Sequence, residues 1–430
     1  MSTLEAVQER NYWAETAAAP RITQRDLPPR VDVAVVGGGY TGLAAARELA
    51  RRGAQVAVLE AKSIGWGASS RNGGMALTGM KLSASALVKR FGLARAKAMF
   101  CLSIEALDYV EQLIRSERID CEFSRCGHLE LAWKPSHMEG LQREAELLQR
   151  AFDHPVQLIP REALSTETAT EAYHGALLDP RSGGLHPARY AAGLAEAADR
   201  AGAMLFAHTR VERIDRASGG FTVHTARGAL AADHVFVATN GYTDRIVPSL
   251  KRRIVPVGSY IIATAPLPED IAHAISRHRR MMYDTKHFLY YYRLSSDNRL
   301  IFGGRAGFVP EGPDTLRESA AILRRGMVQL YPQLANAKVE YAWGGTLGFT
   351  LDFLPHAGRS SEGVHYAMGC GGHGVALLTY LGACMGRMIS GEPVNNPLFD
   401  LPFPAVPLYD GNPWFLPLAG AYYRLLDWLQ

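Results

Sequence analysis

The sequence has little of what marks several common classes of protein. Its five cysteines, an odd number at irregular spacing, indicate free thiols in a reducing compartment and not a disulfide framework. The net charge of +4 over 430 residues is too small for a dedicated nucleic-acid surface. No apolar run approaches the roughly 20 residues that span a bilayer, and the opening residues lack the character of a signal peptide. We therefore expect a cytoplasmic protein that binds neither nucleic acid nor a membrane.

Signatures of several enzyme classes are missing as well. The fourteen histidines are scattered without an HExxH pattern, and no second pair of cysteines accompanies Cys121 and Cys126 to complete a zinc site. The chain contains no glycine–lysine dipeptide and so no P-loop, and it has no GxSxG nucleophile turn. The sequence therefore predicts no metal site, and it gives no support to a P-loop nucleotidase or a serine hydrolase.

The most informative stretch is residues 31–60, VDVAVVGGGYTGLAAARELARRGAQVAVLE. A β-branched run reads as a buried parallel strand, and good helix formers follow the glycines. Gly37, Gly39 and Gly42 occupy the glycine positions of G-x-G-x-x-G, which permit a tight turn, close approach to a pyrophosphate and close helix packing. Glu60 ends the next strand, 18 residues beyond Gly42, where a carboxylate can bind ribose hydroxyls. The unit predicts a dinucleotide site at a helix N-terminus.

Two further glycine-rich segments narrow the choice of cofactor. The dinucleotide unit occurs once, which favours a bound flavin reduced directly by the substrate, although a nicotinamide dehydrogenase fits this pattern too. Residues 65–75, GWGASSRNGGM, offer backbone N–H groups and fixed donors from Arg71 and Asn72 to phosphate or flavin oxygens. Residues 369–375, GCGGHGV, precede a long helix and would aim N–H groups at an anion. In a flavoprotein the target is the N1–C2=O edge of the reduced flavin.

The order of the predicted elements indicates an α/β chain (α+β overall), in which a Rossmann-like FAD-binding domain carries an inserted, mostly antiparallel β-sheet substrate domain. The pattern HFLYYYRLSSDNRLIFGG predicts a hairpin in which Tyr290 and Tyr292 share one face and Tyr291 points to the other. Segment 87–118 reads as one helix. We assign the FAD-binding domain to 30–120, 180–250 and 341–392, the substrate domain to 121–179 and 251–340, and wrapping segments to 1–29 and 393–430.

Motifs along nearly the whole chain carry a resemblance to a known family. They are VVGGGYTGLAAA, LEAKSIGWGASSRNGG, GALLDPRSGGLHP, YYYRLSSDNRLIFGG, LPHAGR, GCGGHGV and GAYYRLLDWL. Through them the chain resembles the D-amino-acid-oxidase-type family of FAD-dependent amine oxidoreductases, and within it the gamma-glutamylputrescine oxidase group. The resemblance implies FAD bound in an extended form. No cysteine lies shortly before Thr350-x-Asp352, where some relatives attach the flavin, and the 65–75 loop has no histidine, so we expect non-covalent FAD.

The resemblance also implies which positions hold FAD. The adenosine would lie against the 31–60 unit, with the backbone of Val211 at the adenine and Ala238–Thr239 beside the pyrophosphate. The isoalloxazine ring would lie between Ser69–Gly74 and Gly372–Val375. The full set of expected cofactor-binding residues is Gly37, Gly39, Tyr40, Thr41, Gly42, Glu60, Ala61, Lys62, Gly67, Ala68, Ser69, Arg71, Asn72, Gly73, Gly74, Met75, Val211, Ala238, Thr239, Gly241, Gly345, Gly372, His373, Gly374 and Val375.

The implied chemistry is oxidation of a C–N bond. A neutral amine delivers hydride to flavin N5, and the resulting imine hydrolyses to an aldehyde or keto acid. Dioxygen would reoxidise the flavin and give hydrogen peroxide, with a dehydrogenase that uses another acceptor as the alternative. The favoured substrate is a gamma-glutamylputrescine-like amine that carries a carboxylate, and a sarcosine- or iminodiacetate-type secondary amine is the other candidate. A non-catalytic flavin-binding protein on the same frame is a separate hypothesis, and the oligomeric state is open.

Five side chains are candidates for orienting the substrate or the flavin. Arg305 follows a strand of the predicted hairpin and would clamp a substrate carboxylate in two-point fashion, with a surface ion pair as the alternative. Tyr260 and Tyr291 would form pocket walls, and Trp66 would cover the flavin ring. His373, in the second glycine-rich turn, would stabilise the reduced flavin or form a structural hydrogen bond.

If Arg305 clamps a carboxylate, Arg305→Ala raises KM for a carboxylated amine by roughly tenfold or more, because a charged hydrogen-bonded pair is lost. The KM for an uncharged amine should change far less. Steady-state kinetics with both kinds of substrate measure the difference, and an equal effect on the two contradicts the clamp.

Overall fold

A computed structural model describes residues 7–304 and 314–429, with side chains described as far as residue 422. Within these ranges the helices are α1 Tyr12–Glu15, α2 Tyr40–Arg51, α3 Ala68–Arg71, α4 Ala84–Phe91, α5 Leu93–Glu117, α6 Pro135–Ala151, α7 Pro187–Arg200, α8 Pro248–Lys251, α9 Glu269–Ile275, α10 Thr315–Leu330, α11 Gly374–Ile389 and α12 Leu416–Leu429. Short 3-10 turns cover Arg161–Thr166, Asn240–Tyr242 and Pro332–Leu334. The strands are β1 Arg30–Val36, β2 Val56–Leu59, β3 Met75–Ala76, β4 His128–Leu131, β5 Gln157–Pro160, β6 Gly175–Asp179, β7 Gly183–Gly184, β8 Met204–Phe206, β9 Val211–Ala217, β10 Gly220–Thr225, β11 Gly228–Val237, β12 Val255–Thr264, β13 Met281–Asp284, β14 Tyr290–Leu294, β15 Leu300–Gly304, β16 Val339–Phe349, β17 His356–Arg359 and β18 His365–Met368.

The first sheet runs in the order β17-β18-β11-β1-β2-β8. From β18 to β8 the strands pair in parallel, while β17 and the β9–β10 hairpin pair antiparallel at the side of β18 and β11. β1 and β2 are buried along nearly their whole length, as expected for parallel strands covered on both faces. β1 leads through the glycine turn into α2, and β2 ends one residue before Glu60. The predicted strand–turn–helix–strand unit is therefore confirmed.

The second sheet runs in the order β16-β12-β15-β14-β13-β4-β6-β5. Among the described strands, every pairing in it is antiparallel except that of β13 with β4. This is the mostly antiparallel sheet that the sequence predicts, and it includes the hairpin β14–β15. One face packs against α10 in an apolar core that contains Leu129, Ile262, Tyr292, Phe302 and Leu323. Because side chains alternate along a strand, residues of opposite parity point to the other face.

Two local features differ from the sequence prediction. The stretch expected to form one helix is divided at Gly92, whose φ of +76° is a left-handed conformation that an α-helix cannot continue. β16 pairs with β12 in the second sheet, so residues 341–349 lie in the inserted sheet and not in the flanking FAD-binding domain. The rest of the division into domains stays a prediction.

Helices α2 and α11 pack with almost nothing between their backbones. A Cβ built on Gly382 of α11 would lie 2.1 Å from the carbonyl oxygen of Thr41 in α2. α2 is also held against its own strand, because a Cβ on Gly42 would lie 2.0 Å from the carbonyl oxygen of Gly37. These contacts fix the N-terminal end of α2 against both the glycine turn after β1 and the buried helix α11.

Gly382→Ala should lower the free energy of unfolding by about 1–3 kcal/mol, because its methyl group would meet backbone that has no room to shift. Gly140→Ala in α6 is the matched control, since nothing lies within 4 Å of its Cβ position. Helix propensity predicts a gain of roughly 0.5–1 kcal/mol there. Denaturant unfolding followed by circular dichroism measures both, and equal stability of the two variants contradicts the close packing.

Candidate active site

A cavity of ≈ 1480 Å³ is lined by residues of both sheets and of the loops between them. Its volume exceeds the roughly 300–1,000 Å³ that a drug-sized ligand needs, so a dinucleotide and a substrate fit together. The cavity extends from the carboxyl ends of β1 and β2 to residues of β4, β6 and β13. Ligands of open parallel sheets bind at the carboxyl ends of the strands, so the first of these regions is the expected nucleotide end.

The nucleotide end of the cavity is shaped by the glycine turn after β1. Gly37 has a φ of +107°, and a Cβ there would lie 2.9 Å from the carbonyl oxygen of Ala238. The Glu60 carboxylate accepts hydrogen bonds from the backbone N–H of Gly38 at 2.8 Å and of Lys62 at 2.9 Å. These bonds hold the carboxylate at the cavity wall. The turn thus brings backbone, the N-terminus of α2 and a fixed carboxylate to one place, as an adenosine diphosphate group requires.

The loop of residues 65–75 is anchored by β16 of the second sheet. The Arg71 guanidinium stacks on the Trp66 ring with its carbon 4.6 Å from the ring centroid, and it donates to the carbonyl oxygen of Gly344 at 3.1 Å. In return the indole Nε1 of Trp343 donates to the carbonyl oxygen of Arg71 at 2.9 Å. The Asn72 amide oxygen accepts from the N–H of Gly74 at 2.7 Å. Arg71 and Asn72 were expected to act as donors to the cofactor, and these bonds show them shaping the loop.

The second sheet meets the cavity with the face opposite α10. Tyr283 is the paired neighbour of both Tyr291 and Glu130, so the three side chains form one row across β14, β13 and β4. A Cβ on Gly303 would lie 2.3 Å from the Tyr291 ring, and one on Gly73 would lie 3.1 Å from it. The ring therefore fills the space between the second sheet and the 65–75 loop. Its hydroxyl lies 3.0 Å from the Ser259 hydroxyl.

The second glycine-rich turn closes another side of the cavity. α11 begins at Gly374, and nothing lies within 4 Å of a Cβ built on Gly372, so the turn faces open space. Burial lowers the pKa of His373 to about 3, with the charges of Lys81 and His128 adding to the effect, so its imidazole is neutral at pH 7. Its Nδ1 is buried without a hydrogen-bond partner in the described part of the chain. An orphaned ring nitrogen beside a helix N-terminus fits a bound group with polar atoms, such as a flavin edge.

Most of the predicted site residues line this single cavity. They are Gly37, Gly39, Tyr40, Thr41, Glu60, Ala61, Lys62, Trp66, Gly67, Ala68, Ser69, Arg71, Asn72, Gly73, Met75, Val211, Ala238, Thr239, Tyr291, Gly345, Gly372, His373, Gly374 and Val375. Their individual roles stay predictions. Arg305 lies outside the described residues.

Tyr260 does not form the cavity wall that the sequence predicts. It is buried in the core on the α10 side of the second sheet, and its ring lies over Gly344, where a Cβ would come within 2.9 Å. Its odd-numbered neighbours Val257 and Ser259 line the cavity instead. Side chains alternate along β12, so the even-numbered Tyr260 faces the α10 core while its odd-numbered neighbours face the cavity.

Three predicted cofactor-binding glycines also lie off the cavity wall. Gly42 is needed for the contact of α2 with its strand. A Cβ on Gly74 would lie 2.2 Å from the carbonyl oxygen of Leu185, and one on Gly241 would lie 2.8 Å from the backbone of Leu347. Close packing of backbone accounts for glycine at these positions, and a role in cofactor binding stays a prediction.

Sequence reasoning missed the polar side chains at the far end of the cavity. Lys81, Glu130, Glu144, Tyr283 and Asp284 all line it. One signal was present, because the alternation in HLEL places His128 and Glu130 on one face of β4. The others come from separate segments whose meeting depends on the fold.

The comparison with known proteins agrees with this geometry. The model of the DAO family, described as FAD dependent oxidoreductase, matches residues 32–388. The chain therefore belongs to the DAO family of FAD-dependent oxidoreductases. It is an enzyme that acts on C–N bonds of amines or amino acids, and its cofactor is FAD. Within the described residues, no helix is long and apolar enough to cross a membrane, and no group of side chains is arranged to hold a metal ion.

Particular relatives are similar over almost their whole length. The chain is 33% identical to gamma-glutamylputrescine oxidoreductase of Escherichia coli strain K12, over 92% of each chain. It is 34% identical to the probable oxidoreductase OrdL of Haemophilus influenzae, over 95% of this chain and 94% of the relative. The crystal structure of glycine oxidase from Geobacillus kaustophilus superposes with a TM-score of 0.71 at 26% identity, covering 88% of this chain and 99% of that one.

Gly37→Ala should weaken FAD binding by roughly tenfold or more, because the methyl group demands an unfavourable φ and meets the Ala238 backbone. Gly53→Ala is the matched control, since Gly53 also has positive φ, at +86°, but nothing lies within 4 Å of its Cβ position. The flavin absorbance per mole of purified protein reports FAD content. Full FAD content in Gly37→Ala protein would show that this turn does not hold the pyrophosphate.

Proposed function

We propose that the enzyme oxidises the primary amine of gamma-glutamylputrescine or a closely similar long amine, and passes the electrons to dioxygen. The observation that carries the proposal is the acidic far end of the cavity, beyond Tyr291, where Glu130 and Glu144 lie on the wall. Carboxylates in a confined, partly dehydrated space favour a substrate with positive charge. The similarity over 92% of the chain to a gamma-glutamylputrescine oxidoreductase supports the same substrate class.

The chain's own residues supply orientation and a suitable environment. FAD provides the hydride acceptor when bound, so the protein has to hold the amine carbon in place and exclude water. Tyr291, wedged between Gly73 and Gly303, gives a rigid wall beside the 65–75 loop. Val257, Leu347 and Phe349 add an apolar surface to the same cavity. Apolar surroundings lower the pKa of an ammonium group because they disfavour its charge, which promotes the neutral amine that donates hydride.

A carboxylated secondary amine, of the sarcosine or iminodiacetate type, is the second candidate substrate. Lys81 lies on the cavity wall and would attract a carboxylate.

The five cysteines are free, in keeping with the cytoplasmic location that the composition predicts.

Anaerobic addition of gamma-glutamylputrescine should bleach the visible absorbance of the bound flavin, and air should restore it with one hydrogen peroxide formed per amine oxidised. Sarcosine and iminodiacetate, tested in parallel, should reduce the flavin more slowly. If no amine reduces the flavin, the oxidase proposal is wrong. If the amine reduces the flavin quickly but no hydrogen peroxide forms in air, the acceptor that reoxidises the flavin is not dioxygen.

A further inference from the structure

The cavity continues past Tyr291 into a polar chamber, which we define by Lys81, Glu130, Glu144 and Tyr283. Glu130 stands two strands away from Tyr291 in the same cross-strand row. Adjacent strands are about 4.8 Å apart, so the two positions are separated by roughly 10 Å. Tyr283 lies between them in the row, so Glu130 is the part of the chamber farthest from the wall at Tyr291.

The protein provides few hydrogen bonds or opposite charges to stabilise the Glu130 carboxylate. Among the described residues its one hydrogen bond comes from the Tyr283 hydroxyl, at 3.5 Å. Burial raises the pKa of Glu130 to about 7, and the nearby Glu144 carboxylate adds to this, whereas the Lys81 ammonium and the Tyr283 hydroxyl oppose it. A carboxylate that is removed from water and has one long hydrogen bond is costly in free energy. A cation bound in the chamber would remove that cost.

Glu144 differs from Glu130 because backbone groups already hold it. Its carboxylate accepts from the N–H groups of Ala84, at 2.5 Å, and Ser85, at 3.2 Å, at the start of α4. These bonds fix Glu144 in position as a second negative charge beside Glu130. Lys81 lies next to the second glycine-rich turn, since a Cβ on Gly371 would lie 3.3 Å from the Lys81 Cβ.

His373, whose orphaned ring nitrogen fits a flavin edge, connects the second glycine-rich turn with the chamber. Its ring lies on the same cavity wall, near Lys81 and His128, and its buried Nδ1 has no partner in the described part of the chain. Buried polar atoms are nearly always hydrogen-bonded. The orphaned His373 nitrogen and the weakly hydrogen-bonded Glu130 carboxylate therefore line the same cavity.

We propose that the chamber is a second subsite, which binds the zwitterionic amino-acid head of a long amine substrate. Glu130 accepts hydrogen bonds from the head's ammonium group, and Lys81 attracts its carboxylate. The subsite rests on the proposed function, because it places the substrate's other end at the flavin. It predicts that the enzyme prefers an amine with such a head to a simple alkylamine, since a charged hydrogen bond is lost when the head is missing.

The test compares gamma-glutamylputrescine with N-acetylputrescine, which keeps the diamine and the amide but lacks the charged head. In the wild-type holoenzyme, the apparent Kd from anaerobic flavin reduction should be roughly tenfold to hundredfold lower for gamma-glutamylputrescine. Glu130→Gln should raise this Kd by a similar factor and change the value for N-acetylputrescine less than twofold. The limiting rate of flavin reduction should stay nearly unchanged for both. Glu146→Gln, an exposed position on α6, is the matched control and should change neither Kd.

The outcomes separate the subsite from the proposed function. If the flavin is reduced but Glu130→Gln alters both Kd values equally, or alters neither, the subsite is wrong and the oxidase stands. Bound FAD and the melting temperature show whether the variant is folded. Should it not fold, the wild-type comparison decides alone, because equal Kd values for the two amines overturn the subsite. If no amine reduces the wild-type flavin, both proposals fail together.

Discussion

The arrangement of the cavity depends on a contact between two helices that have almost no side chains between them. Gly382 of α11 meets the Thr41 backbone of α2, and Gly42 lets α2 press against the turn after β1. Because backbone meets backbone, the start of α2 is fixed relative to both β1 and α11. The N-termini of both helices open on the same cavity, so one can serve a pyrophosphate and the other a flavin edge. An extended dinucleotide needs both anion-binding ends held at a constant separation.

The second sheet forms the rest of the cavity wall with every other side chain of its strands. Residues such as Tyr292 and Phe302 pack on the α10 side, which leaves the opposite parity, including Tyr291, Tyr283 and Glu130, for the cavity. One apolar core thus decides which polar side chains face the cavity. The 65–75 loop then joins the second sheet to the glycine turn after β1, because Gly344 and Trp343 of β16 hold Arg71 and the carbonyl oxygen of Gly38 accepts from the N–H of Gly65.

Sequence patterns predicted those features of the fold that depend only on neighbouring residues in the chain. The 31–60 unit is confirmed because its glycines and strands are contiguous, and the opposite placement of Tyr291 and Tyr292 is confirmed because a strand alternates in any fold. Tyr260 was misplaced because alternation says which residues share a face and not which face meets the cavity. Packing of α10, distant in sequence, settles that question. The chamber was missed for the same reason, since Lys81 and Glu130 meet only after the domains assemble.

The two ends of the cavity differ in their charged groups, because carboxylates occur beside Lys81 at the far end. Helix N-termini present partial positive charge where the phosphates of FAD would lie, whereas Glu130 and Glu144 make the far end acidic. Burial raises the pKa of Glu130 to about 7, so near neutral pH the side chain is only partly ionised. An arriving ammonium group lowers that pKa, because an opposite charge favours the carboxylate. Binding of the cation and release of the Glu130 proton are therefore coupled, and an uncharged amine gains nothing from the coupling.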